Sequence, residues 1–199
     1  MSRKFKKLSL QYSFLQMEKE DVFEICEKME PKLKEYMEKH YPSAYREYFS
    51  KAPQEPIKPK EESPKVALSE PDNDLDEVPL EPAEPKNKDL KMIYRKIVEK
   101  THPDKTGDNS QADLFSEAAR AYENNNMGKL IEIAAKTKVD IPDIGEESIY
   151  ILEDNIRKIQ EEIKHKKATT AWGWYRSKND KQKEDIIKAI FASRGIKSG

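Results

Sequence analysis

The side chains best placed to do chemistry are His102 and Asp104, set on either side of Pro103 and followed by Lys105. An imidazole next to a carboxylate could serve as a general base, as part of a metal site or as a rigid recognition loop. The first two need company, since a base requires a positioned partner group and a metal requires three or four ligands. The other histidines are His40 and His165, the single cysteine is Cys26, and no Gly-rich phosphate loop or nucleophile motif accompanies them. Display of the two groups to a partner is the better fit. Pro103 fixes one backbone dihedral and restrains His102, so the loop offers both groups with little freedom left to lose on binding.

Two amphipathic helices are expected to hold this loop. Leu90, Ile93, Tyr94, Ile97 and Val98 follow helical spacing up to about Thr101, where Pro103 disfavours continuation. Lys88, Lys91 and Arg95 share the outer face of that helix, with Lys96 and Lys100 beside them, a positive stripe suited to an acidic surface. After a turn at Gly107-Asp108-Asn109, Ser110 is expected to cap a second helix, with Asp113 reaching back. Its inward face is Leu114, Phe115, Ala118, Ala121 and Tyr122, so Tyr94, Phe115 and Tyr122 are read as the residues that join the two helices. The run Asn124-Asn125-Asn126 and Gly128 interrupt the pattern, and Met127, Leu130, Ile131, Ala134 and Ala135 begin another short helix.

At these residues the chain resembles a J-domain. LKMIYRKIVEKTHPDKTGD is similar to that family's second helix and loop, and FSEAARAY is similar to its third helix, with Phe115 and Ala121-Tyr122 at the family's spacing. The resemblance implies a helical hairpin that binds a DnaK-type chaperone and stimulates its ATP hydrolysis. In that family the basic helix meets an acidic face of the chaperone's ATPase, and the loop aspartate engages an arginine near the junction of its two domains. Carried over, His102, Pro103, Asp104 and Lys105, with Lys88, Lys91, Arg95 and Lys96, form the chaperone-binding surface. Three positions depart from the family. Its first helix would fall near 74–84, where Leu75, Val78 and Leu80 are broken by Pro79 and Pro82; Thr101 stands where an aromatic is usual; and Asn125 stands where leucine is common. There are no CxxCxGxG repeats and only six glycines, which resembles the minimal class that recruits the chaperone to one chosen client.

The rest of the chain frames this unit. Between Pro53 and Pro85 lie eight of the twelve prolines and ten acidic residues against three lysines, with no aromatic, a composition that cannot bury enough surface to fold. The expected fold is all-α, divided into an N-terminal helical segment (1–51), an acidic Pro-rich linker (52–87), a J-domain-like hairpin (88–136) whose first family helix is missing or degenerate, and a C-terminal helical hairpin (146–196). In the first segment Val22, Ile25, Cys26 and Met29, then Leu33, Tyr36 and Met37, fit two helices or one kinked at Pro31. In the last, Ile149, Leu152, Ile156, Ile159 and Ile163 form a short seam expected to pack against Ile186, Ile187, Ile190 and Phe191, with Trp172, Trp174 and Tyr175 at the turn. Nine Lys/Arg against three acidic residues over 157–183 also suit single-stranded nucleic acid, although tryptophans capping a core are the simpler account. Net charge is −1, no apolar run reaches membrane-spanning length, and one cysteine cannot pair within the chain. The expectation is therefore a cytoplasmic, non-enzymatic co-chaperone without cofactor, metal or membrane contact, acting on an unidentified client. A scaffold that does not stimulate an ATPase, and a nucleic-acid adaptor, are the alternatives.

Overall fold

A computed structural model of the chain describes residues 2–50, 87–106, 109–141 and 143–197. Most of the expected linker, the degenerate first helix near 74–84 and Gly107-Asp108 lie outside them. Among the described residues the chain is all-helical: α1 (Arg3–His40), α2 (Pro42–Ser50), α3 (Lys88–Thr101), α4 (Pro103–Thr106), α5 (Ala112–Glu123), α6 (Met127–Lys136), α7 (Glu146–Lys167), α8 (Thr170–Arg176) and α9 (Asp180–Ala192).

The first of these is a single helix of 38 residues, capped by Ser2, whose Oγ accepts from the Phe5 amide at 3.2 Å. It continues through Pro31, where one ladder bond is lost at an exposed position, so of the two arrangements the sequence leaves open one continuous helix forms. Its buried face reads Phe5, Tyr12, Leu15, Val22, Cys26, Leu33 and Met37. The N-terminal part of that face belongs to a larger core shared with α3, α5, α6 and α7, and Leu33 and Met37 belong to a smaller one with Trp174, Ile187, Phe191 and Ile196. Each fully buried Leu or Ile in these cores contributes about 2 kcal/mol relative to exposure. Residues on either side of the linker thus share both cores, and the linker divides the sequence without dividing the structure.

The expected C-terminal hairpin takes a different form. Leu152, Ile156, Ile159 and Ile163 of α7 pack along α1, not along α9. Lys4 pairs with Glu153, Lys19 with Glu162, and Lys167 with Glu18 at 2.6 Å, so both helices ascend in the same direction. The apolar face of α1 (Phe5, Tyr12, Leu15, Val22 and Cys26) covers the seam, and α9 packs instead in the smaller core. The short α8 bridges the two cores, with Ala171 in the first and Trp174 in the second. The aromatics near Pro42 are a packing unit, as Tyr41 and Tyr48 meet the Phe191 ring edge-on at 5.8 and 6.1 Å.

The α3–α5 pair is covered by the segment that begins at Met127. Helix α6 buries Met127, Gly128, Leu130, Ile131, Ile133 and Ala134 and packs on α3, α5, α1 and α7 at once. It begins at Asn126, whose Oδ1 accepts from the Lys129 amide at 2.9 Å. Asn125 takes a left-handed φ of 53°, which explains the break that the Asn run announces. The start of α5 departs from expectation: Asn109–Gln111 form a 3-10 turn, and the helix follows Gln111, which makes no side-chain cap bond. Ser110 is inside that turn and does not occupy the cap position.

Candidate functional site

Helix α3 ends where the sequence indicates, and its last residue, Thr101, is fully buried with Oγ1 donating to the Ile97 carbonyl at 2.9 Å. That local bond satisfies the hydroxyl inside the core and lets threonine stand in an apolar position. His102 follows with φ −67° and ψ 126°, the extended geometry that Pro103 demands. Pro103 then opens α4 at the first helical position, where a missing N–H costs nothing. His102 acts as the cap of this turn: its Nδ1 accepts from the Asp104 amide at 3.2 Å, and its carbonyl accepts from the Lys105 amide at 3.0 Å. The Asp104 carboxylate is 3.9 Å from Nδ1.

The Phe115 ring of α5 meets the His102 ring edge-on at 5.0 Å. His102 is thereby restrained from three sides, by its own helix end, by Pro103 and by Phe115, and its side chain is 34% exposed while that of Asp104 is 73% exposed. One face of the loop is fixed and the carboxylate is held outward. Tyr94 and Tyr122 stack at 4.5 Å and 10°, joining α3 to α5 as the spacing suggests.

The basic residues divide into two groups. Lys88, Lys91, Arg95 and Lys105 are exposed, and none forms a salt bridge among the described residues. Lys88, Lys91, Arg95 and Lys96 also line a shallow groove with Met92 and Glu99, so one acidic side chain interrupts the stripe. Lys96, at the edge of that groove, and Lys100 reach toward the end of α6, where Lys96 Nζ donates to the Asp140 carbonyl at 3.2 Å and Lys100 Nζ to the Lys138 carbonyl at 2.6 Å. These two bind the chain leaving the C-terminal end of α6, where positive charge also meets the negative end of the helix dipole. Lys96, expected in the partner surface, is therefore engaged within the chain. Nothing local could have foretold this, because its acceptor lies 44 residues away.

A second polar cluster, absent from the sequence reading, anchors the other end of α3. Asn87 Oδ1 accepts from the amides of Asp89 and Leu90 at 2.9 and 3.1 Å. The Ser148 hydroxyl lies 2.6 Å from Asp89 Oδ2 and 2.9 Å from Asn87 Oδ1, and the Gly145 amide donates to Asp89 Oδ2 at 2.7 Å. The amino end of α3 is thus tied to that of α7. Asn87, placed last in the linker by composition, is the cap of α3.

In the aromatic C-terminus Trp174 is buried and Trp172 packs against the larger core, while Tyr175 is exposed; three of the nearby lysines are engaged, Lys166 with Glu30 and the Phe23 ring, Lys167 with Glu18 and the Trp172 ring, Lys183 with Asp180 and the Trp174 ring. Among the described residues there is no group of His, Cys, Asp and Glu able to hold a metal, and no helix is long and apolar enough to cross a membrane. Comparison with models of known protein families, with curated proteins and with solved structures finds no match to this chain. The described residues define an all-helical protein with a braced His-Pro-Asp loop at the end of a basic helix.

Proposed function

We propose that the chain is a J-domain-type co-chaperone: α3 and its loop bind a DnaK-type chaperone and favour the state of that chaperone that hydrolyses ATP. The observation that carries this reading is the loop geometry. A carboxylate held outward beside a doubly braced imidazole, next to exposed Lys88, Lys91, Arg95 and Lys105, is suited to an acidic surface with an arginine at its edge. Such a loop does no chemistry itself. It acts by binding one state of its partner better than another, and the energy it supplies is that difference. A client would then be engaged by the outer faces of α1–α2 and α7–α9, whose inner faces form the two cores.

The test is single-turnover ATP hydrolysis by several DnaK-type chaperones with the parent protein and with His102→Gln and Asp104→Asn. Asp104→Asn keeps the shape of the loop, whereas His102→Gln also removes the Nδ1 cap on the Asp104 amide and the ring that meets Phe115. Stimulation by the parent that either change reduces at least about tenfold, a loss of roughly 1.4 kcal/mol or more, supports the reading. Stimulation is also expected to fall as salt rises, because exposed lysines steer the encounter. A folded parent that stimulates none of the chaperones would instead mark the loop as part of a scaffold, a role favoured to the extent that Lys96 and Lys100 are engaged within the chain.

A further inference from the structure

Among the described residues, one face of α1 is left exposed. Leu10, Phe14 and Met17, at spacings of four and three, are 66%, 62% and 58% exposed, and together they form an apolar stripe on the side opposite the cores. The charges along this same face are sorted by sign. Arg3, Lys6 and Lys7 precede the stripe, and Glu20, Asp21 and Glu24 follow it; all six are exposed. Only Glu24 is paired within the helix, to Lys28.

We propose that this face is a self-association surface on which two copies of the chain pair antiparallel about Phe14. Lys7 and Asp21 each lie seven residues from Phe14, two turns before it and two turns after. A twofold axis at Phe14 sets Lys7 of one copy against Asp21 of the other, twice, and aligns Arg3 and Lys6 with the opposite acidic end. The two Phe14 rings meet at the axis, with Leu10 of each copy beside Met17 of its twin. A parallel pair would instead set like charge against like at both ends. An anionic membrane, the other surface that a basic and apolar helix could seek, would be repelled by Glu20, Asp21 and Glu24. The apolar stripe is about 11 Å long, and with its charged ends the face is about 32 Å long and one helix wide, below the size of a standard interface, so the dimer is weak and concentration-dependent. The proposal is independent of the loop and of the chaperone reading.

Sedimentation velocity on the full chain tests it. The weight-average mass is expected to rise toward twice that of the monomer with concentration. Phe14→Glu is expected to weaken association at least about tenfold without altering helicity, because the ring is outside both cores. Lys7→Glu and Asp21→Lys each weaken it, and the double variant Lys7→Glu/Asp21→Lys restores it, which only the antiparallel register allows. A parent that remains monomeric at about 0.5 mM overturns the proposal. So does a dimer that Phe14→Glu leaves intact or that the double swap fails to recover, and so does a monomer that binds phosphatidylserine vesicles through the same residues.

Discussion

Gly128 sits where α1 and α6 come closest. A Cβ added there would lie 2.2 Å from two atoms of the Tyr12 ring, well inside contact distance, and Tyr12 cannot swing aside easily. Its hydroxyl donates to Asn126 Oδ1 at 3.1 Å and accepts from Gln16 at 2.7 Å, while Asn155 Oδ1 accepts from the Gly128 amide at 3.3 Å. One added methyl therefore strains packing and hydrogen bonds together. Gly128→Ala is expected to lower the free energy of unfolding by about 2–3 kcal/mol, read as a reduced urea midpoint with an unchanged slope. At the loop, Phe115→Leu removes the ring edge from His102 but leaves α5 intact. The imidazole proton resonances of His102 are expected to shift and broaden in that variant, with little change in the melting temperature. Unaltered resonances would show that Phe115 does not hold the imidazole.

The helices are secured to one another by a few polar ties. Ser148→Ala removes the hydroxyl between Asn87 and Asp89, while Asn87 Oδ1 keeps the Asp89 and Leu90 amides and Asp89 Oδ2 keeps the Gly145 amide; a cost of about 1 kcal/mol is expected in urea unfolding. On α6, burial pushes the Glu132 carboxyl up, but Lys136 at 2.8 Å and Lys129 at 3.4 Å outweigh it and hold the group below the usual carboxylate range. A lowered folded-state value contributes stability above the ordinary value of 4.5, and that stability is lost as pH falls through the folded value. Glu132→Gln is expected to destabilise at pH 7 and to approach the parent near pH 2.5. An equal deficit at both pH values would assign the effect to packing. Local periodicity sufficed to find α3, α5, α6 and α7 and to place the end of α3 at Thr101, because each carries an apolar stripe and a proline or Asn-Gly break. It could not choose the partner of α7. Leu152, Ile156, Ile159 and Ile163 suit α1 and α9 equally well by residue type, and their partner is set by an apolar face and ion pairs on α1, supplied by residues some 140 positions earlier. The loop was legible because three adjacent residues dictate its geometry. The division of its lysines was not, because the carbonyls that engage Lys96 and Lys100 belong to a distant turn.

At the scale of the molecule, α1 is a wall common to both cores, since Phe5 through Cys26 line one and Leu33 and Met37 the other. Cutting the chain at a protease site engineered within 51–86 is therefore expected to leave two fragments that elute together and keep their helicity until denaturant separates them. Fragments that part in buffer would mean that α1 contributes little to either core. The same wall has a consequence in time. On the ribosome α1 is made first, and the seam of α7 that covers it arrives some 140 residues later, which at roughly 5–20 residues per second is about 7–30 s. Throughout that interval Tyr12, Leu15, Val22 and Cys26 have no native partner from the far end of the chain. The nascent protein must spend those seconds as an apolar helix in search of cover, so its yield in a cell-free translation should depend on what else is present to shelter it.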